Sequence, residues 1–164
     1  MMISSRMVTS LNGQIANELL ASHKYLAMSY CFEDMGLHVF AKRFMEQADE
    51  ERGHALKIAK FIQDVGGKVI LDKIDKPKSD YKSARQIVQA AVDSELLVTK
   101  QINDLVAQAE KEKDYATRSF LQWFVDEQVE EVATMSELLK LVVMAGEQYL
   151  LQVEGRLAAM MAAK

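Results

Sequence analysis

Four blocks of about thirty residues, each with apolar side chains recurring every three or four positions, leave this chain room for little besides long α-helices. The blocks cover about residues 5–35, 37–65, 83–113 and 115–145, and a shorter one covers 147–163. Between them stand the few breakers present, Gly36, Gly66-Gly67, Asp114 and Gly146. One proline and seven glycines in 164 residues are too few for the many turns of a sandwich or barrel. The expected class is all-α, in a single domain over residues 1–164. No run of about 20 apolar residues appears, and residues 1–13 lack a continuous apolar stretch, so neither a membrane span nor a signal peptide is expected. A net charge of −4 offers no counterion release to nucleic acid and points to cations as partners. The single cysteine, Cys31, rules out an internal disulfide or a thiolate metal cage and suits a reducing, cytoplasmic location.

Topology follows from lengths. A thirty-residue helix is about 45 Å long, and the short turns at Gly36 and Asp114 force two antiparallel hairpins. Residues 66–82 hold the only proline and no helical stripe. Extended at about 3.3 Å per residue they reach roughly 55 Å, enough to run the whole length of a bundle. The second and third helices are therefore expected to run parallel, in a four-helix bundle with one long crossover and a short C-terminal fifth helix.

The inward stripes are interrupted in one place each. The first reads Leu11, Ile15, Glu18, Ser22, Tyr25, and the second Phe40, Phe44, Gln47, Glu51, His54, Ile58. The third reads Val88, Ala91, Glu95, Val98, Ile102, and the fourth Leu121, Phe124, Gln128, Glu131, Met135, Leu138. Glu18 and Glu51 lie 33 residues apart, as do Glu95 and Gln128, and His54 and Glu131 each follow three residues later. The chain thus repeats itself at an offset of 77, and closure of each hairpin brings all six residues to one level of the bundle.

Four carboxylates in a low-dielectric core, ionised and unpaired, would cost tens of kcal/mol, against the roughly 5–15 kcal/mol that holds a domain together. No Lys or Arg falls on the inward stripes beside them. The remedies left are protonation or bound metal, and two divalent cations would balance Glu18, Glu51, Glu95 and Glu131. Oxygen ligands with one imidazole favour iron or manganese, with zinc still open.

Asn17-Glu18-Leu19, Glu50-Glu51-Arg52-Gly53-His54, Ser94-Glu95-Leu96 and Leu121-Gln122-Trp123-Phe124 leading to Glu127-Gln128-Val129-Glu130-Glu131 resemble the bacterial non-haem ferritins over essentially the whole chain. The resemblance implies a ferroxidase centre, with a first iron on Glu18, Glu51 and His54. Glu51 would bridge to a second iron held by Glu95 and Glu131 with Gln128 beside it, and Tyr25 matches the tyrosine next to the centre. Glu50, Glu127 and Glu130 match a nearby third iron site. It further implies a 24-subunit shell that oxidises Fe(II) with O2 or H2O2 and stores ferric mineral. Bacterioferritins carry a haem-ligating Met after the bridging Glu; Arg52 stands there in this chain, so no haem is expected.

Two other classes share parts of this pattern. A di-iron or di-manganese oxidase or oxygenase would keep its metal and turn over an organic substrate. A DNA-sheltering mini-ferritin would carry a basic tail and lack the fifth helix. Gln128-x-x-Glu131 replaces the second Glu-x-x-His of the oxygenases, which implies a looser second metal, in keeping with iron in transit.

Overall fold

The computed structural model describes residues 1–163, so the last residue of the expected unit lies outside them. It has the expected architecture: α1 (Ser5–Asp34), α2 (His38–Asp64), α3 (Ala84–Glu112), α4 (Tyr115–Ala145) and a short α5 (Leu150–Ala162), the last entered through one 3-10 turn, Glu147–Tyr149. No strand occurs among the described residues, and no helix there is long and apolar enough to cross a membrane.

Local chemistry sets the helix ends. Ser4, Ser83 and Asp114 each accept a hydrogen bond from a backbone N–H three residues on, capping α1, α3 and α4. At the far end of α2, Gly66 adopts φ +80°, the left-handed conformation expected there. Gly67 then donates to Ile62 O at 2.8 Å, and a Cβ on it would meet Ile62 Cγ2 at 2.9 Å, so the close turn requires glycine.

The crossover lies along α1. Asn12, buried, uses its side-chain amide as a substitute for backbone: it donates to Lys68 O at 2.9 Å and accepts from Ile70 N at 2.8 Å. Farther on, Cys31 Sγ contacts Ser79 O at 3.4 Å. Nineteen helical residues separate Asn12 from Cys31, about 28 Å, and roughly ten loop residues cover that distance, so the chain is nearly extended. This carries it from one end of the bundle to the other and makes α2 and α3 parallel.

Two apolar clusters fill the bundle. One, at the Gly36 end, packs Tyr25, Phe32, Phe40 and Phe44 with Ile87, Met135 and Leu138; Phe32 lies 4.9 Å from Phe40 and 4.8 Å from Phe44, centroid to centroid. The other packs Leu11, Ile15, Ile58, Ile62, Ile102, Leu121 and Phe124. The polar level of the stripes lies between them. The apolar face of α5 is largely spent within the chain, since Leu150, Val153 and Leu157 join the first cluster while Tyr149 stays exposed.

α5 also supplies what α2 lacks. Leu37, at the start of α2, has no capping side chain, and Glu154 fills the role by accepting from Val39 N at 2.7 Å and Phe40 N at 3.2 Å. Glu147 likewise accepts from Ala84 N and Arg85 N at the start of α3. A carboxylate at a helix N-terminus satisfies orphan donors and opposes the helix dipole. Glu154→Ala is expected to destabilise the fold by about 1–2 kcal/mol, read as a lowered denaturant midpoint with an unchanged m-value.

Candidate metal centre

Hairpin closure does what the spacing requires. Glu18 on α1, Glu51 and His54 on α2, Glu95 on α3, and Gln128 and Glu131 on α4 are all buried, with exposures of 0, 0, 6, 1, 3 and 6%. Glu51 and His54 share one face of α2 because three residues are nearly one turn. His54 Nδ1 lies 3.1 Å from Glu51 Oε2 and 3.8 Å from Glu18 Oε2. Each of these three residues can place one ligand atom within 4.8 Å of the other two, the only such group of acidic, His or Cys residues among the described residues. Trp123 and Phe124 meet the imidazole edge-on at 5.4 and 5.9 Å, and Lys57 lies over the Trp123 ring at 3.3 Å from its centroid.

A glutamine amide attends every carboxylate. Gln14 Nε2 donates to Glu18 Oε1 at 2.8 Å, and its own carbonyl accepts from Asn17. Gln47 Nε2 divides its two hydrogens between Glu51 Oε1 at 3.1 Å and Glu131 Oε2 at 2.9 Å, tying α2 to α4. With both acids ionised, as metal binding requires, reversing that amide would set a carbonyl against two carboxylate oxygens. Gln128 Nε2 donates to Glu95 at 3.2 Å, and the Tyr25 hydroxyl donates to the other oxygen of Glu95. Gln14 falls one turn before Glu18 on the same face but outside the Leu11–Ile15–Glu18 stripe, and nothing in the spacing of Gln47 marks its role.

Electrostatics follow from crowding. Burial is the main force raising Glu95 to about 7 and Glu131 to about 8, and neighbouring acids add to it. Glu51 is raised for the same leading reason, against the pull of His54. For His54, burial acts downward, but hydrogen bonds and charge from Glu18 and Glu51 outweigh it and lift the imidazolium to about 10. Tyr25 is raised well above its ordinary value by burial and then by Glu95, so it stays a proton donor. Without metal, protons hold the centre together.

Against the expectation of inward stripes free of cations, Arg43 on α2 is only 5% exposed and its charge acts on Glu131. It sits one turn before Gln47, off the Phe40–Phe44 line, and its long side chain reaches in from the edge of the stripe. Glu50 and Glu130 are exposed and Glu127 is half-buried; Glu50 faces Arg43, with Oε1 4.0 Å from Nη1.

A long-crossover helical bundle with carboxylates and one imidazole at its middle defines the ferritin-like class. Residues 8–144 match the Ferritin family, described as a ferritin-like domain. A bacterial non-heme ferritin of Staphylococcus epidermidis is 41% identical over 133 residues, 81% of this chain and 80% of that one. A probable bacterial non-heme ferritin-like protein of Haemophilus influenzae is 34% identical over 146 residues, 89% of this chain and 88% of the other. An open pore ferritin from the hyperthermophilic archaeon Archaeoglobus fulgidus superposes with a TM-score of 0.93 at 37% identity, covering 95% of this chain and 96% of that one. The chain belongs to the ferritin family.

Proposed function

We propose that this ferritin stores iron by oxidising Fe(II) at the Glu18, Glu51, His54, Glu95 and Glu131 cluster. Glu18, Glu51 and His54 hold one Fe(II); Glu51 bridges to a second, which Glu95 and Glu131 complete with Gln128 beside them. Each Fe(II) gives up one electron, and the pair delivers two to one O2, which takes up two protons and leaves as H2O2. The protein's part is to gather four carboxylates at a fixed separation, to keep them dry between two apolar clusters, and to release their protons as the ions arrive. Tyr25 holds Glu95 by its hydroxyl. Glu50, Glu127 and Glu130 form a third iron site nearby. The ferric product enters the interior of a homo-oligomeric shell of 24 subunits. With a free Cys31 and Arg52 after the bridging Glu51, the reading is a cytoplasmic, haem-free protein.

The observation that carries this is the buried Glu18–Glu51–His54 group, in which three ligands from two helices stand within 4.8 Å of one another. Glu18→Ala and His54→Ala are expected to lower anaerobic Fe(II) binding below two per subunit and to slow oxidation at least about tenfold. Unchanged stoichiometry and rate in both variants would remove the centre. Iron loading separates storage from a resident-metal enzyme, because a storing shell takes up far more iron than two per subunit.

A further inference from the structure

Arg43 is poorly provided for where it stands. Its side chain is 6% exposed, its Nη2 has no hydrogen-bond partner, and its nearest acid is Glu50 at 4.0 Å, the outer limit of an ion pair. Glu50 is itself 45% exposed, so water screens that attraction. A buried guanidinium paired this weakly lowers stability relative to an apolar side chain of similar length. A structural salt bridge therefore does not account for it.

Its position relates it to one half of the centre. It lines a cavity of about 200 Å³ with Glu46, Glu50, Thr134, Met160 and Met161. Thr134 lies one turn beyond Glu131 on α4, and Gln47, one turn beyond Arg43 on α2, donates to Glu131. His54, which belongs to the other metal position, is two further turns along α2. Arg43 therefore stands beside the Glu131 half of the centre and away from the His54 half.

We infer that Arg43 is a built-in counter-cation that weakens the second metal position, the one completed by Glu95 and Glu131, so that an ion is held there briefly and passed on. The inference rests on the functional reading above. Once an ion arrives, two positive charges share a dry site, and repulsion grows as the ion passes from +2 to +3. Arg43 touches neither ion and is a positioning residue.

The test uses the whole protein and Co(II) alone, whose visible absorption reports protein-bound ions. Arg43→Met keeps length and removes charge; Arg43→Lys keeps charge. The wild type is expected to bind two Co(II) per subunit, the second more weakly. In Arg43→Met the second ion should bind about tenfold tighter or more, with the first little changed, and the metal-free variant should melt no lower than the wild type. Arg43→Lys should behave as the wild type. With Fe(II), the first oxidative turnover of Arg43→Met should keep its rate while later turnovers slow. A merely structural arginine predicts the opposite: lower melting and weaker metal. If Arg43→Met is poorly folded, Arg43→Gln gives the same reading. A second ion bound no more tightly in the uncharged variants overturns the inference and leaves the functional reading intact. A wild type that binds no pair of ions overturns both.

Discussion

Glu51→Gln is expected to abolish rapid Fe(II) oxidation, lowering the initial rate at least about a hundredfold while leaving the fold in place. In the proposed centre Glu51 is the one carboxylate that both metal positions share, and it is wholly buried, so no surface acid can stand in for it. Glutamine preserves its volume and one carbonyl oxygen, but an amide is a poor ligand for a hard cation and brings no charge. The same change should not destabilise the metal-free protein. Burial pushes the Glu51 carboxyl upward, which means that the folded chain disfavours its ionised form, and glutamine resembles the protonated one. Stopped-flow absorbance of the ferric product and the melting curve of the metal-free protein measure the two effects. A rate within twofold of the wild type would show that Glu51 bridges nothing.

The second large effect is a stability that falls as pH rises, and that metal restores. Glu95 titrates at about 7, Glu131 at about 8 and His54 at about 10. All three lie above their values in an unfolded chain, near 4.3 for Glu and 6.5 for His. The folded state therefore binds more protons than the unfolded state between those limits. For each group the favourable contribution is fully present below the unfolded value and is lost as pH rises through the folded one. The metal-free protein should consequently lose stability on the order of several kcal/mol between about pH 5 and pH 9, an opposite course from that of a protein held by ionised salt bridges. Divalent cations replace the lost protons, so the melting temperature gained from metal should grow across the same range. Calorimetric titration in buffers of different ionisation enthalpy should find about three protons released per pair of ions near pH 6, and about one near pH 9. Stability that rises with pH in the metal-free protein would show that the centre is not protonated as described.

Much of this was legible in one dimension because it depends on neighbours in sequence. Periodicity near 3.6 marked the four long helices to within a residue or so of their ends, and two turn glycines placed the first reversal and the end of α2. The i, i+3 spacing of Glu51 and His54, repeated in Gln128 and Glu131, foretold a shared face. The length of residues 66–82 foretold a crossing from end to end.

Other features rest on pairs that no local rule connects. Glu154 caps α2 from 115 positions away, and Asn12 holds the crossover through Lys68 and Ile70, 56 and 58 residues on. Arg43 escapes the stripe pattern because a long side chain can leave the stripe that its Cα belongs to, and only the packing of α2 against α4 and α5 turns it inward. Gln47 could be read as a polar residue in the core, but its task of tying Glu51 to Glu131 exists only once α2 and α4 stand side by side.

The linear order of residues, then, determined which segments are helical, how they reverse, and that acids and one imidazole meet at a common level, since these follow from repeat lengths along a single chain. Tertiary structure alone decided which amides steady those acids, where the nearby cation lies, and how far each carboxyl departs from its ordinary acidity. Those properties depend on distance and dielectric between helices, and neither quantity exists until the helices pack.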